Sequence, residues 1–268
     1  MTPAASKFSA IVLAGERPGG SALSRELGLA ASVLVDVAGK PALARVVDAL
    51  EASEMIDGGL LCGPAEDVFR ENGEFREILN GTSFQWKAPA EGPSASALAA
   101  LDQLDSFPAL LTAGDHALLY PGLVDYFCRE ALKLDVDVVV GIAPYAIVRE
   151  AFPESKRTVL KFNNGQYCGT NLFAILNREG KAGPAFWRDL EADRKRPWRM
   201  ARRIGPGLLV RHLFGRLSLE IALSSLARSM GCRVGYVRIE VARAAVDVDS
   251  IADRDLAEKI LKNDKAQL

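Results

Sequence analysis

Three aspartates stand at positions where carboxylates can hold a metal ion. Asp115 follows a buried strand predicted over residues 109–112, and Asp247 and Asp249 alternate along an extended segment near the C-terminus. A carboxylate at the carboxyl end of a strand lies where open α/β sheets bind ligands, and it can hold Mg²⁺ against a phosphate. Alternation places Asp247 and Asp249 on one face, so one of them can complete a two-carboxylate site with Asp115. The alternative is helix capping, by Asp115 or, near the C-terminus, by Asp249 or Ser250.

A glycine-rich loop, with the sequence LAGERPGG at residues 13–20, follows the first predicted strand. Glycines let backbone N–H groups approach phosphate oxygens closely, and Arg17 can add a charge-assisted contact. The loop has neither the GxGxxG spacing nor that of a P-loop, so it equally fits a plain turn. By itself the loop therefore does not distinguish a phosphate site from a turn.

Short apolar runs alternate with helical patterns through the first half of the chain. Apolar runs that end at glycine, proline or aspartate predict buried strands, and apolar residues at helical spacing after Pro41 predict a helix. The alternation predicts an α/β protein with a mostly parallel sheet covered by helices on both faces. The predicted strands are 9–14, 33–37, 59–62, 109–112 and 136–142, and the predicted helices begin at Pro41, Ser94 and Leu123.

The second half of the chain has a different pattern. Residues 158–162 and 171–175 predict the two strands of a hairpin around the Asn-Asn-Gly turn at 163–165. Residues from about 184 to 230 predict a helical, locally basic insertion or lid. We expect a single domain over residues 8–262 that contains this insertion. The last predicted elements are a strand at 234–241 and a helix at 253–262.

Composition and charge argue against several classes of protein. The 268 residues include 33 basic and 34 acidic side chains and have a net charge of −1, unlike a polycation that binds nucleic acid. Four scattered cysteines without a CxxC pair, and only two histidines, argue against a structural zinc site or a disulfide framework. The apolar stretches are too short to span a bilayer or to serve as a signal segment. We therefore expect a cytoplasmic protein.

Five segments, taken in order, resemble one known family. The chain is similar to the MobA-like nucleotidyltransferases (NTP transferases), a superfamily that includes sugar-phosphate, molybdopterin and polyol-phosphate nucleotidylyltransferases. The resemblance spans most of residues 8–260, and the ordered set is more specific than any one segment. The segments are AIVLAG at 10–15, VDVAGKP at 35–41, EGPSAS at 91–96, TAGDHALL at 112–119 and DVDSIAD at 247–253.

The resemblance implies a three-layer, Rossmann-like fold of the nucleotide-diphospho-sugar transferase type and an enzyme that depends on Mg²⁺. It implies that an acceptor phosphate attacks the α-phosphorus of an NTP and releases pyrophosphate, with a phosphorylated small molecule or lipid precursor as the acceptor. The implied catalytic residues are Arg17, Asp115 and Asp249; Asp115 and Asp249 hold the metal, and Asn171 faces the acceptor. The implied nucleotide-binding residues are Leu13, Ala14, Gly15, Arg17, Gly19, Gly20, Gly92 and Ser96.

One position departs from the family pattern. The family places a phosphate-neutralising lysine where this chain has Ser32. Serine carries no charge, so either Arg17 or Arg25 takes over the role, or the protein binds nucleotide without turnover. A nucleotide-sugar glycosyltransferase that uses residues 247–249 as a DxD sequence is a further alternative, although such a sequence usually lies in mid-chain.

A basic segment at 193–203 carries six basic residues and a tryptophan. The pattern predicts a solvated, charged helix face. The alternatives are a lid over the phosphorylated acceptor, or a patch that gives the protein peripheral contact with anionic lipid. A nucleic-acid partner fits the near-neutral charge balance of the chain poorly.

Overall fold

One mixed sheet forms the centre of the molecule. The computed structural model describes residues 6–17, 19–104, 106–193, 207–208, 211 and 215–265. The strand order is β3-β2-β1-β4-β7-β5-β8, and β6 pairs with β7 off this path. All neighbours are parallel except at β7, which runs antiparallel to β4, β5 and β6. The strands are β1 Phe8–Leu13, β2 Ile56–Cys62, β3 Phe84–Lys87, β4 Ala109–Ala113, β5 Val138–Pro144, β6 Leu160–Phe162, β7 Gly165–Ile175 and β8 Val234–Arg238.

Helices cover both faces of this sheet. They are α1 Ala22–Leu27, α2 Ala42–Glu51, α3 Glu66–Glu71, α4 Gly73–Leu79, α5 Pro93–Leu101, α6 Pro121–Leu132, α7 Tyr145–Ala151, α8 Ala182–Ala192, α9 Leu219–Met230 and α10 Ile251–Lys265. Side chains alternate along β1: Ala10 and Val12 pack with α2, α4 and α6, whereas Ile11 packs with α5, α8 and α9. The predicted three-layer α/β fold is therefore confirmed.

A third apolar cluster joins the two ends of the chain beside the sheet. Leu23 of α1 and Ala257 of α10 belong to it, together with Val246 and Val248 from the segment before α10. Leu118, from the turn after β4, lies in the same cluster. This packing carries the C-terminal segment to the carboxyl end of β4.

The strand predicted at 33–37 is wrong. The structure has a 3-10 turn at Ser32–Leu34 and a single β-bridge between Asp36 and Pro41. The apolar side chains of this segment are nevertheless buried: Val33 and Leu34 lie in the main core, and Val35 and Val37 lie in the cluster beside α10. The apolar run therefore marks burial and not strand pairing, two states that a short run does not distinguish.

The remaining predicted elements outside residues 184–230 are present with shifted ends. Strand β8 stops at Arg238, three residues before the predicted end at 241. The segment at 246–249 forms no strand, but its side chains alternate as predicted: the valines are buried, and Asp247 and Asp249 are not. Helices α1, α3, α4 and α7 and strand β3 were not predicted, because short elements carry little periodicity.

The predicted hairpin is present as β6 and β7, and β7 also contains a bulge. The pairing of β5 with β7 shifts between Val140 and Ile142, so that residues 170–172 of β7 face Gly141 alone. Asn171, within the bulge, has a φ of 51°, a left-handed conformation that asparagine adopts more readily than most residues. Bulges of this kind re-aim a side chain beside a functional site.

Helices α8 and α9 lie in the region predicted as a helical insertion, 184–230. Residues 194–206, which include most of the basic segment, lie outside the described residues, so its predicted roles stay predictions. The extent of a single domain over 8–262 also stays a prediction. Within the described residues, no helix is both long enough and apolar enough to cross a bilayer.

Gly141→Ala is expected to destabilise the fold beside the bulge. The added Cβ would lie 2.3 Å from Thr170 Oγ1 and 3.2 Å from Leu172 Cβ, and overpacking of this kind costs about 1–3 kcal/mol. Gly169→Ala on the facing strand is the matched control, because a Cβ there meets nothing within 4 Å. Urea unfolding measures both variants, and equal midpoints would contradict tight packing at Gly141.

Candidate active site

The glycine-rich loop leaves β1 at Leu13 and packs on the neighbouring strand through backbone contacts. Ala14 donates its N–H to the Cys62 carbonyl at 2.8 Å. Gly63 has a φ of 106°, and a Cβ at this residue would lie 2.6 Å from the backbone nitrogen of Gly15. Only glycine therefore fits at position 63. Gly15 itself is exposed, so the outer surface of the loop is open to a ligand.

Arg25 is hydrogen-bonded to the glycine-rich loop, whereas Arg17 is exposed and acts on Asp249 through its charge. Arg25 Nη1 donates to the carbonyls of Gly19 and Gly20 at 3.1 and 2.8 Å, and both glycines adopt left-handed φ values, 82° and 77°. Arg17 is exposed, and its positive charge opposes the rise in the pKa of Asp249. Of the two arginines predicted as substitutes for the family lysine, Arg17 is thus the better placed.

Glu16 binds the backbone N–H of Ser32, the residue predicted to stand in place of the family lysine. One of its carboxylate oxygens accepts the Ser32 N–H at 2.6 Å, and the other accepts the Arg17 N–H at 3.2 Å. The loop therefore carries a carboxylate next to Ser32. The sequence-based site does not include Glu16, because a local pattern does not show a side chain that turns back onto a residue 16 positions later.

The turn after β4 and the C-terminal segment meet at Asp115. Val248 donates its N–H to the Asp115 carbonyl at 3.1 Å, which brings the neighbouring aspartates alongside. Burial raises the pKa of Asp115 to about 7, with contributions from the charges of Asp249 and Asp247. Burial and the charge of Asp247 likewise raise the pKa of Asp249. The structure thus places the three predicted aspartates close enough for their charges to affect one another.

Asp247 is held by other side chains, whereas Asp249 is not. Arg157 pairs with Asp247 Oδ1, and Asn171 Nδ2 donates to Asp247 Oδ2 at 3.3 Å. Among the described residues, the Asp249 carboxylate has electrostatic neighbours but no hydrogen-bond or ion-pair partner. This favours Asp249 over Asp247 as the metal-binding partner of Asp115. Asn171, predicted to face the acceptor, lies at the edge of the same carboxylate group.

Asp115 has the properties expected of a metal ligand. Its Oδ1 is buried and has no hydrogen-bond partner within the described part of the chain, an unfavourable state for a carboxylate unless a cation binds it. Among the described residues, no three His, Cys, Asp or Glu side chains are grouped closely enough to bind a metal by themselves. A carboxylate pair suits Mg²⁺, which keeps several waters and binds one or two carboxylates together with substrate phosphates. The residues present therefore fit Mg²⁺.

Capping explains Ser250 but not the aspartates of the site. Ser250 Oγ accepts the N–H of Asp253 at 3.2 Å and donates to its carboxylate at 2.5 Å, so Ser250 caps α10. Helix α6, which follows Asp115, begins after Tyr120 and has no side-chain cap. The capping interpretation is therefore wrong for Asp115.

The loop before α5 lies against the glycine-rich loop. A Cβ built on Gly15 would be 3.6 Å from Pro89 Cβ. Gly92 is the N-cap residue of α5, and its backbone is partly exposed. Ser96 is buried, and its hydroxyl accepts the Ala90 N–H at 2.9 Å. Of the two residues predicted to contact a nucleotide here, Gly92 is partly exposed. The Ser96 side chain is buried and binds the backbone of the loop before α5.

The comparison of sequences identifies the family. The profile of the MobA-like NTP transferase domain matches residues 10–161, more than half of the chain. The chain belongs to this family. No curated protein matches it in sequence.

Solved structures that share the fold of this MobA-like protein include transferases and synthetases. A hypothetical transferase from Thermus thermophilus is 25% identical with a TM-score of 0.77, and the match covers 92% of this chain and 99% of that one. The 4-diphosphocytidyl-2C-methyl-D-erythritol synthase of Anaerococcus prevotii is 14% identical, with a TM-score of 0.57 and 96% of each chain covered. CMP:2-keto-3-deoxy-manno-octonic acid synthetase in complex with CTP is 12% identical with a TM-score of 0.58, and the match covers 97% of this chain and 100% of that one. The last two show the fold alone. The predicted family and fold type are thereby confirmed.

Asp115→Asn is expected to stabilise the metal-free protein at and above neutral pH. Burial raises the folded-state pKa of Asp115 to about 7, whereas an unfolded aspartate titrates near about 3.9, so folding takes up a proton between these values. The protonated Asp115 therefore contributes to the free energy of unfolding at low pH. This contribution is lost as the pH rises through the folded-state pKa of about 7. Asparagine avoids this loss, which amounts to about 2–4 kcal/mol.

Chemical denaturation in metal-free buffer at about pH 8 and about pH 5 measures this effect. The gain of Asp115→Asn should be larger at the higher pH, because wild-type Asp115 is mostly protonated at the lower one. Burial lowers the pKa of His116 to about 4, but this residue is common to both proteins and its contribution cancels. The exposed Asp57→Asn is the control. Equal stability of wild type and Asp115→Asn at the higher pH would show that Asp115 is not a buried charge.

Proposed function

We propose that this protein transfers a nucleotidyl group from an NTP to a phosphorylated acceptor and releases pyrophosphate. The observation that carries the proposal is the hydrogen bond from the Val248 N–H to the Asp115 carbonyl, which sets Asp249 beside Asp115 at the end of β4. The charge of Asp249 acts on Asp115, and the charge of Arg17 in the glycine-rich loop acts on Asp249. Membership of the NTP transferase family supports it. The acceptor class is a phosphorylated small molecule or lipid precursor.

In this reaction an oxygen of the acceptor phosphate attacks the α-phosphorus of the NTP. A new P–O bond forms while the bond from the α-phosphorus to its bridging oxygen breaks, and the pyrophosphate leaves with the electron pair. Both reactants are anions. Catalysis therefore consists mainly of holding them in line and of offsetting their charge.

Each part of the site has a role in this positioning. The backbone of the loop at 13–20 binds the β- and γ-phosphates, and Arg17 offsets their charge. Gly92 lies beside the nucleoside, and Asn171 in the bulge faces the acceptor. Asp115 and Asp249 would hold Mg²⁺, which would supply positive charge to offset that of the phosphates.

The site carries less positive charge than the family pattern. Glu16 adds a carboxylate beside Ser32, and Arg25 is committed to the loop carbonyls. Arg17 therefore takes the role of the family lysine in the proposed reaction. The contact between Glu16 and Ser32 favours one alternative, a homologue that binds nucleotide without turnover.

The glycosyltransferase alternative requires both aspartates of residues 247–249 to face the sugar nucleotide. Arg157 and Asn171 hold the two carboxylate oxygens of Asp247, so Asp249 alone is available. This observation favours nucleotidyl transfer over the DxD chemistry of a glycosyltransferase.

The cysteines of the protein suit a reducing compartment. Cys62, Cys128, Cys168 and Cys232 are all free and buried, as is usual in proteins of the cytoplasm. A cytoplasmic location is therefore part of the proposal. Peripheral contact of the basic segment with anionic lipid stays a prediction, and no nucleic-acid partner is proposed.

Mg²⁺ and one NTP together are expected to raise the melting temperature of the wild-type protein, because ligands that bind the folded state stabilise it by mass action. Asp115→Asn and Asp249→Asn should lose the Mg²⁺-dependent part of this shift, and the control Asp57→Asn should keep it. The measurement is a thermal-shift series over the four NTPs, each with and without Mg²⁺.

Pyrophosphate release, measured with a set of phosphorylated acceptors and the NTP that gives the shift, then separates transfer from binding. Release that depends on Mg²⁺ and on Asp115 supports the proposed reaction. A shift without release supports the homologue without turnover. If no NTP shifts folded wild-type protein, the proposed function is wrong.

Arg17→Gln is expected to weaken NTP binding by about tenfold or more, because a hydrogen bond to a charged group contributes about 1.5–3 kcal/mol. Arg17→Lys is the matched variant, since it keeps the charge but not the planar fork, and it should retain part of the affinity. Calorimetric titration with Mg²⁺-NTP measures both. Unchanged binding in Arg17→Gln would show that Arg17 does not contact the phosphates.

A further inference from the structure

Arg157 is a buried arginine that links three parts of the chain next to the carboxylates. It lies between α7 and β6, and its side chain is only 7% exposed. Its Nε donates to Ser155 Oγ at 2.8 Å. Its two Nη atoms pair with the carboxylates of Asp247 and Asp253. A buried guanidinium is tolerated only with such partners, so these contacts define its place in the fold.

Arg157 binds the backbone of the segment before α10 as well as the side chain of Asp247. The same Nη1 that pairs with Asp247 Oδ1 also donates to the Asp247 carbonyl at 3.3 Å. Nη2 holds Asp253 in the first turn of α10. The residues between these two anchors include Asp249. The position of Asp249 therefore depends on a guanidinium that does not touch it.

Both carboxylate oxygens of Asp247 are engaged. Arg157 takes Oδ1, and Asn171 Nδ2 donates to Oδ2 at 3.3 Å. Asp249, two residues further along the same face, has no such partner among the described residues. The pattern separates two aspartates that the sequence presents as equivalent.

We propose that Arg157 is a positioning residue that withholds Asp247 from the metal and so sets the preference of the site for Mg²⁺ over larger cations. This inference rests on the proposed function, because it takes Asp115 and Asp249 as the metal ligands. Arg157 acts through Asp247 and through the segment it anchors, and it contacts neither the metal nor the substrates.

The physical basis is the number of carboxylates that the metal can reach. Mg²⁺ requires a near-octahedral shell, keeps several waters and uses one or two carboxylates, whereas Ca²⁺ accepts more oxygen ligands in a flexible shell. Among the described residues no three His, Cys, Asp or Glu side chains form a metal-binding group while Arg157 holds Asp247. The charge of Asp247 already acts on Asp115 and Asp249, so an Asp247 released from Arg157 would be free to turn toward them as a third carboxylate. Removal of Arg157 should therefore favour Ca²⁺ at the expense of Mg²⁺.

The experiment compares the affinities for Mg²⁺ and Ca²⁺ in wild type, Arg157→Gln and the double variant Arg157→Gln/Asp247→Asn. Thermal-shift titration and calorimetry use each metal alone and then each metal with the four NTPs. The ratio of Ca²⁺ to Mg²⁺ affinity should rise about tenfold or more in Arg157→Gln, the scale of effects from residues that support metal ligands. It should return toward the wild-type ratio in the double variant, which no longer has a carboxylate to release.

A purely structural arginine would lower the melting temperature without a change in the affinity ratio of the folded protein. An unchanged ratio in folded Arg157→Gln therefore overturns the inference. If that variant does not fold, Asp247→Asn and Asp249→Asn decide the question. Asp249→Asn should lose Mg²⁺ binding and Asp247→Asn should keep it, and equal losses would overturn the inference.

The same experiment separates this inference from the proposed function. Wild type that binds neither metal, alone or with the NTPs, contradicts the nucleotidyltransferase proposal itself. Wild type that binds Mg²⁺ with NTP, together with an unchanged ratio in Arg157→Gln, contradicts only the role given to Arg157.

Discussion

Crowding of negative charge beside β4 is the constraint on which the site depends. Asp247 and Asp249 raise the pKa of Asp115, which burial has already raised. An arrangement of this kind persists only where the rest of the fold compensates for it. Arg157 compensates for Asp247 directly, and Arg17 offers a weaker and more distant charge. Asp115 is left without such compensation, since its buried Oδ1 has no hydrogen-bond partner among the described residues. The proposed cation would relieve this unfavourable state.

The site exists only when distant parts of the chain have come together. The hydrogen bond from Val248 to the Asp115 carbonyl joins the last segment to the middle of the sequence, and Leu23 and Ala257 pack around this junction. Such contacts have large sequence separation, and the loops that they close make them entropically unfavourable. The metal binding proposed at Asp115 would therefore require the completed fold and not only a locally ordered loop.

Sequence patterns predicted those parts of the molecule that depend on local periodicity or on fixed positions in an α/β sheet. Strands β1 and β4 follow from apolar runs, and Asp115 follows from its place at the end of a strand. The strand expected at 33–37 is a turn, because burial of an apolar run does not specify how its backbone is paired. Glu16 and Arg157 were not predicted, since their partners lie 16 and 90 residues away and are set by tertiary structure.

The direction of β7 affects how the site can diversify. This strand lies between β4 and β5 and runs opposite to both, so Asn171 enters the site from a hairpin, whereas the glycine-rich loop follows a parallel strand. A hairpin can lengthen or shorten at its turn without a change in the register of the parallel strands. The half of the site proposed for the acceptor can therefore evolve new shapes while the nucleotide half keeps its geometry, and homologues could exchange acceptors without rebuilding the sheet.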